Sequence, residues 1–392
     1  MFEQELSKRA EMGLLREEMT VHSLQGPRVA LSGHGEAIVL CSNNYLGLAE
    51  HPEIRRAACE ALERYGLGTG ASRLVSGTME LHKELERRIA SFKGTEDAIV
   101  FNSGYAANTG IIPALAGEGD VIFSDELNHA SIIDGCRLSR AGVVVYRHGD
   151  IEHLGSLLKE HRAAGRRLIV SDGVFSMDGD IAPLPELADI AERHDAMLMI
   201  DDAHATGVLG KNGRGTAEHF GLSGRVPVQM GTLGKALGSF GAYAAGDRGL
   251  IAWLRNTARS YIFSTALPPA LCAASVVALE LVDREAWRRD RLWRNRARLT
   301  DGLSALGISL AGSGTPIMPV IVGSAEKALN TAKKLLQNGV FAPAIRPPSV
   351  PPGTARIRTT VMATHSDGDI DRVLSVFGAL TREGLLHGHR RG

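Results

Sequence analysis

The sequence has no excess charge of either sign, because 44 lysine and arginine residues balance 44 aspartate and glutamate residues. A protein that attracts nucleic acid or an anionic membrane through its overall field carries a surplus of basic residues. The basic residues of 288–298 alternate with apolar ones, as on the outer face of an amphipathic helix. The composition therefore predicts neither a nucleic-acid partner nor a membrane partner.

Cysteine is scarce, and long apolar runs are absent from the sequence. The four cysteines form neither a metal-binding spacing nor a disulfide framework. No apolar run is long enough to cross a bilayer, and the first residues lack the basic and apolar regions of a signal peptide. We therefore expect a cytoplasmic protein with reduced thiols and no metal centre, folded throughout its length.

Helix and strand patterns alternate over most of the chain, which predicts an α/β protein. Residues 1–50 are expected to form an N-terminal helix, over 3–19, and short strands. Residues 51–280 are expected to form the large domain, and residues 281–392 a smaller α+β domain.

A lysine enclosed by glycines follows the apolar run 226–230, within Gly231–Gly238. Glycines permit sharp turns and the close approach of another molecule, and ligands gather at strand ends of α/β sheets. A partly desolvated lysine there acts as a nucleophile toward carbonyl carbon. The other interpretation is an ordinary lysine on a strand-to-helix turn, and the motif alone does not choose between them. Whether Lys235 is a nucleophile therefore depends on the other motifs of the sequence.

Two adjacent carboxylates, Asp201 and Asp202, follow the apolar strand 197–200. An unpaired buried charge is costly, so both are not expected to lie in the core. A carboxylate at a strand end, with His204 three residues later, suits recognition of a protonated ring nitrogen. A metal site is the alternative, but the spacing is not diagnostic of one.

A small, glycine-containing turn joins the strand 97–101 to a helix that begins near Gly104 and Tyr105. Free backbone N–H groups and the positive end of the helix dipole make such a turn a phosphate site. The glycine-rich segment 66–73 follows a helix, so it lacks the strand that a nicotinamide-binding fingerprint requires. His129 follows another strand, where a histidine by itself is more often a helix-start residue than a catalytic one.

These features together suit pyridoxal 5′-phosphate (PLP), a ring cofactor with an aldehyde, a basic ring nitrogen and a phosphate. Lys235 would bond to the aldehyde, and Asp201 would keep the ring nitrogen protonated. His204 would hydrogen-bond the ring hydroxyl, and His129 would stack on the ring. Arg358 would bind an amino-acid carboxylate through a bidentate pair.

Five motifs resemble those of the α-oxoamine synthases, PLP enzymes that join an amino acid to an acyl thioester with loss of carbon dioxide. The resemblance extends from about residue 16 to about residue 365, and its motifs begin at Ser42, Leu127, Gly173, Asp201 and Thr232.

This resemblance implies fold type I, with a mixed, mostly parallel seven-stranded sheet in the large domain and a smaller C-terminal domain. It also implies a homodimer with shared active sites. The cofactor contacts that it implies are Gly104, Tyr105, Ser176, His204 and Thr232, with Ser264 and Thr265 reaching the phosphate of the neighbouring subunit. The substrate contacts that it implies are Arg16, Asn43, His129, Ser349 and Arg358.

Two reactions within this family remain open. The segment 345–351 favours condensation of L-alanine with a pimeloyl thioester, carried by CoA or a carrier protein, in biotin synthesis. The segment 128–135 and Asp172 also look like a ligase that uses glycine and acetyl-CoA. Aminotransfer uses the same cofactor contacts, whereas a catalytically silent subunit would be expected to lack Lys235. A PLP-binding regulator would be expected to carry a DNA-binding segment, for which the first fifty residues are too short and too neutral.

We predict that Lys235→Ala abolishes turnover, since the substitution removes both the group that bonds to the cofactor and the catalytic base. The absorbance of the covalently attached cofactor should also disappear. Both are measured on purified protein supplied with PLP, and retained turnover would overturn the assignment of Lys235.

Overall fold

The computed structural model describes residues 2–161, 165–312 and 314–386. The chain divides into two compact units. The larger unit comprises Leu48–Phe175 and Ile181–Arg289, and the smaller unit comprises Met1–Gly47, Ser176–Asp180 and Asp290–Gly392. Most of the N-terminal segment, which the sequence predicted as a separate part, thus belongs to the same unit as the C-terminal residues.

Helices and strands alternate along the larger unit, and two small sheets occur in the smaller one. The helices are α1 (Phe2–Glu11), α2 (Pro52–Tyr65), α3 (Glu80–Lys93), α4 (Gly104–Leu115), α5 (Ala130–Leu138), α6 (Ile151–Glu160), α7 (Leu184–Arg193), α8 (Thr216–His219), α9 (Arg248–Thr257), α10 (Arg259–Ile262), α11 (Pro269–Arg284), α12 (Trp287–Ala305), α13 (Ala325–Gln337) and α14 (Asp367–Arg382). The strands are β1 (Arg28–Leu31), β2 (Gly35–Val39), β3 (Asp97–Phe101), β4 (Val121–Asp125), β5 (Gly142–Tyr146), β6 (Arg167–Asp172), β7 (Met197–Asp201), β8 (Val228–Thr232), β9 (Ala242–Gly246), β10 (Ile317–Gly323), β11 (Val340–Phe341), β12 (Ala344–Ile345) and β13 (Ala355–Thr360). None of the helices in the described ranges combines the length and the apolar character that crossing a bilayer requires.

The larger unit is built on a seven-stranded sheet in the order β3-β9-β8-β7-β6-β4-β5. Strand β9 runs antiparallel to both of its neighbours, and the other pairings are parallel. This confirms the predicted mixed, mostly parallel seven-stranded sheet. The carboxyl ends of β4, β6, β7 and β8 consequently lie along one edge, where ligands of such sheets bind.

Both faces of this sheet are buried, which is why its central strands read as continuous apolar runs. Ile122 packs into the core on one face and Phe123 into the core on the other. The same alternation divides Met199 from Leu198 and Ile200 on β7. Side chains of a strand point alternately to opposite faces, so each central strand packs into two cores. This packing on both faces fixes the position of the strand's end.

Asp202 corrects one expectation, because it is as buried as Asp201, with exposed fractions of 1% and 3%. The ammonium group of Lys93 lies 2.9 Å from Asp202 Oδ2, and the Thr216 hydroxyl donates to Oδ1 at 2.6 Å. Burial lowers the pKa of Lys93, but the Asp202 charge and hydrogen bond, together with Tyr243 and Glu218, outweigh burial and leave that pKa raised. The ion pair with Lys93, the last residue of α3, thus allows two successive carboxylates to be buried.

The smaller unit contains two three-stranded sheets, in the orders β1-β2-β11 and β10-β13-β12. Strand β13 pairs antiparallel with β10, and Arg358 lies opposite Pro319. Helix α13 separates β10 from the two-residue strands β11 and β12, which the sequence patterns were too short to show. Val29, Val39 and Met362 form part of the core of this unit.

Helix α1 is shorter than the expected 3–19 and ends at Glu11. Gly13 has a φ of +65°, and its N–H group donates to the Ala10 carbonyl. A left-handed glycine just beyond the last turn is a common helix terminator. Arg16 therefore lies past the helix, in irregular chain, and not on a helix face as expected.

We predict that Lys93→Met lowers the free energy of unfolding by about 3–5 kcal/mol, because it leaves the Asp202 charge buried without its partner. The matched control is Lys83→Met on the same helix, whose ammonium group pairs with Glu86 from a side chain that is 46% exposed. Glu86 also keeps its pair with buried Arg73, so the control should cost at most about 1 kcal/mol. Urea titration measures both, and equal losses in the two variants would contradict the importance of the Lys93–Asp202 pair.

Candidate active site

Lys235 lies in the turn that follows β8, and its Nζ is 2.8 Å from His204 Nε2. The turn is closed by Thr232, whose hydroxyl donates to the Gly241 carbonyl at 2.9 Å and accepts from the Gly234 N–H group. His204 follows β7 and is buried, whereas Lys235 is half-buried. The structure thus brings together two of the predicted residues from neighbouring strand ends.

Asp201, the last residue of β7, holds a buried carboxylate whose two oxygens both accept hydrogen bonds. The Ala203 N–H group donates to Oδ1 at 2.9 Å, and Asn108 Nδ2 donates to Oδ2 at 2.8 Å. Both donors are uncharged, so they orient the carboxylate without neutralising it. A buried anion of this kind suits a protonated ring nitrogen.

His129 caps α5, and its own backbone is held by a neighbouring strand. Its N–H group donates to Asp172 Oδ2 at 2.7 Å. The side chain is exposed overall, yet the packing around the ring lowers its pKa, and the Lys235 charge adds to that effect. The Asp201 charge raises the pKa of His129, by less than burial lowers it and by more than the Lys235 charge lowers it. The ring is therefore biased toward its neutral form.

Asp172 and Asp201 end β6 and β7 and lie directly opposite each other in the parallel register. Register partners on adjacent strands point to the same face, so two buried carboxylates sit side by side. Burial raises the pKa of Asp172 well above its usual range, and the Asp201 charge raises it further. The pair consequently favours a protonated Asp172.

Gly104 and Tyr105 form the first turn of α4, as predicted for the phosphate site. Ser103 caps this helix by accepting from the Ala106 N–H group at 3.1 Å. The first N–H groups of a helix have no partner within it, and the dipole favours an anion there. The Tyr105 ring is half exposed, and its hydroxyl group donates to Asp134.

Ser264 and Thr265 lie between α10 and α11 in the larger unit, and Thr265 is exposed. The Thr265 carbonyl accepts from Asn102 Nδ2 at 2.8 Å, which anchors this segment beside the start of α4. Their predicted contact with a neighbouring subunit remains a prediction.

The predicted substrate residues of the smaller unit form two groups. Arg358 is 7% exposed; its Nε donates to the Ser176 carbonyl at 2.5 Å and its Nη2 to Asn43 Oδ1 at 3.1 Å. Arg16 Nη2 donates to Ser349 Oγ at 3.2 Å, and both side chains are exposed. Ser176, expected to touch the cofactor, belongs to this unit, and that contact remains a prediction.

Sequence reasoning missed three polar residues that connect the predicted ones. Asn108 is fully buried in α4 and donates to Asp201 and, at 2.9 Å, to Ser131 Oγ. Ser131 in turn lies 2.8 Å from His129 Nδ1. Asp172 is the third, and it accepts a hydrogen bond from the His129 N–H group. The sequence offered two signals for these residues: an asparagine in a helix of mostly small and apolar residues, and an aspartate at the end of a strand.

One trio in the described ranges has the ligand spacing of a metal site, namely His51, Glu53 and Glu285. Arg284 lies 2.6 Å from Glu53, and Arg288 lies 2.6 Å from Glu285. These cations already neutralise both carboxylates, so the trio does not favour a metal ion.

The residues at the edge of the large sheet fit PLP by their chemistry. They supply an amine for its aldehyde, a buried carboxylate for its ring nitrogen and helix N–H groups for its phosphate.

The chain belongs to the class I and II aminotransferase family, whose model matches residues 36–377. Within this family its similarities are to α-oxoamine synthases, as the motifs predicted. The 8-amino-7-oxononanoate synthase of Geobacter sulfurreducens is 57% identical over 381 residues, which is 97% of each chain.

Solved structures agree with this assignment. A serine palmitoyltransferase from S. paucimobilis, with a bound PLP–myriocin aldimine, has a TM-score of 0.92 at 35% identity and covers 97% of each chain. An 8-amino-7-oxononanoate synthase from Francisella tularensis has a TM-score of 0.77 at 29% identity, over 89% of this chain and 99% of that one. Fold type I is therefore confirmed.

We predict that Asp172→Asn stabilises the cofactor-free protein more at pH 8 than at pH 5. The folded form holds the Asp172 proton more tightly than the unfolded chain does, so native stability falls as the pH rises above about 3.9, the unfolded value. Asparagine removes this loss, which is worth about 1.4 kcal/mol for each unit by which folding raises the pKa.

Urea titrations at the two pH values measure the difference, with Asp301→Asn on the exposed face of α12 as the control. A difference that is independent of pH, or the same as in the control, would show that Asp172 is an ordinary carboxylate.

Proposed function

We propose that this chain uses PLP to condense L-alanine with a pimeloyl thioester, giving 8-amino-7-oxononanoate, carbon dioxide and the free thiol. This reaction is a step of biotin biosynthesis. The observation that carries the proposal is the 2.8 Å contact between Lys235 and His204 beside the buried Asp201. The choice of substrates rests on the 57% identity to a synthase of that name.

The cofactor supplies, when bound, an aldehyde for covalent attachment and a ring that accepts electrons from the substrate's α-carbon. Lys235 would be its point of attachment, and Asp201 would face the ring nitrogen. His204 and Thr232 would contact the ring side, and the N–H groups of Gly104 and Tyr105 would bind the phosphate.

Lys235 would then act as the base that takes a proton from the α-carbon of alanine and later returns one. A primary amine serves this role when its surroundings lower the cost of losing its proton. The contact with His204 Nε2 suits this work, because it keeps the amine oriented between transfers. One base at one carbon thus serves both proton transfers.

The other residues would orient substrates. Arg358 presents a buried guanidinium to the alanine carboxylate, with Asn43 fixing its position at 3.1 Å. Arg16, steadied by Ser349, would bind the terminal carboxylate of the pimeloyl chain. His129 would donate a hydrogen bond to the thioester carbonyl as well as stack on the ring.

The active form would be a homodimer in the cytoplasm, with Ser264 and Thr265 completing the phosphate site of the partner subunit. Phe263, immediately before them, is 70% exposed, and aromatic residues are enriched at protein interfaces. Four free cysteines agree with a reducing compartment.

We predict that the purified protein with PLP releases thiol from pimeloyl-CoA in the presence of L-alanine. The alternative reaction, glycine with acetyl-CoA, is the matched comparison. Release with the second pair alone would replace the proposed substrates, and product analysis by mass spectrometry separates condensation from aminotransfer.

We further predict that Arg16→Met raises the KM for pimeloyl-CoA by roughly 10- to 100-fold, the effect of losing one charge-assisted hydrogen bond. The KM for L-alanine should not change. Arg9→Met, at an exposed position of α1, is the control. An equal effect on both substrates would remove Arg16 from the pimeloyl site.

A further inference from the structure

A chain of hydrogen bonds connects the Asp201 carboxylate to the ring of His129. Asn108 Nδ2 lies 2.8 Å from Asp201 Oδ2 and 2.9 Å from Ser131 Oγ. Ser131 Oγ lies 2.8 Å from His129 Nδ1. Asn108 and Ser131 are buried, with exposed fractions of 0% and 1%, whereas His129 is exposed. The network is therefore buried as far as Ser131 and reaches His129 from the protein side.

The direction of each hydrogen bond follows from the number of donors that each group has. An ionised carboxylate only accepts, so the amide atom that faces Asp201 must be the nitrogen. That nitrogen carries two protons, and it gives one to Asp201 and the other to Ser131. Ser131 Oγ is thus an acceptor toward Asn108, and its single proton is available for His129 Nδ1.

A second donor points at the same ring nitrogen. The backbone N–H group of Ser131 lies 3.2 Å from His129 Nδ1. A nitrogen that faces two donors accepts and carries no proton of its own. A neutral imidazole has one proton, so that proton belongs on Nε2.

We propose that Asn108 and Ser131 are positioning residues that hold His129 as the neutral Nε2–H tautomer. Resting on the proposed function, this inference assigns the Nε2–H group as the donor to the thioester carbonyl oxygen. The same amide orients Asp201, so one buried side chain fixes both the partner of the ring nitrogen and the donor to the substrate. The lowered pKa of His129 agrees with a neutral ring.

The direct test is the tautomer of His129 in the PLP-loaded enzyme, read from the two ring-nitrogen shifts after ¹⁵N-histidine labelling. The His129→Asn spectrum identifies its signal among the 14 histidines. We expect a protonated Nε2 and an unprotonated Nδ1 in the wild type. A protonated Nδ1 would overturn the proposal, and this result needs no variant of the network.

Ser131→Ala tests the role of the hydroxyl. We expect a mixture of tautomers and a roughly tenfold lower kcat, the effect of losing one hydrogen bond, with an unchanged KM for L-alanine. Ser139→Ala, a buried serine at the other end of α5, is the matched control and should leave the His129 signal unchanged. An unchanged tautomer and kcat in Ser131→Ala would also overturn the proposal.

The two proposals fail in distinguishable ways. An Nε2–H tautomer without thiol release from pimeloyl-CoA would contradict the substrate assignment and support the network. Thiol release together with an Nδ1–H tautomer would leave the reaction intact and refute the role of Asn108 and Ser131.

Discussion

Parallel pairing of β6, β7 and β8 places the ends of three strands side by side, and the candidate site depends on this alignment. The register sets Asp172 directly opposite Asp201, and the turn after β8 places Lys235 beside His204. Parallel sheets are covered on both faces, so the strand ends cannot move without disturbing two cores. These ionisable groups are thus fixed at the edge where ligands of such sheets bind.

The buried carboxylates Asp201 and Asp202 each pair with a side chain from a different helix. Lys93 on α3 neutralises Asp202, and Asn108 on α4 binds Asp201. A buried charge or dipole without such a partner costs several kcal/mol, so these contacts are requirements of the fold as much as features of the site. Two helices that are remote from β7 in sequence, α3 and α4, thus hold the carboxylates at its end.

The smaller unit also contains a buried charged group, the Arg358 guanidinium, with hydrogen-bond partners from other chain segments. Arg358 on β13 is held by a carbonyl at residue 176 and by the side chain of Asn43, from chain segments more than a hundred residues apart. A guanidinium group has five donors in a fixed fork, so these contacts, with a third to the Tyr45 hydroxyl, fix its orientation. Arg16 and Ser349 form a second hydrogen-bonded pair in this unit, which is exposed.

The class of fold and the cofactor could be predicted from the sequence, as could the polar residues at the ends of β7 and β8. These follow from short-range patterns, since apolar runs mark the strands and the polar residues after them mark the binding edge. Three features became visible only in the folded chain: Asp202 is buried with Lys93, Asn108 and Ser131 join Asp201 to His129, and Arg16 lies beyond the end of α1. The first two depend on partners that are distant along the chain, which no local pattern encodes. The third depends on Gly13, whose left-handed conformation ends a helix that the apolar spacing alone would have continued.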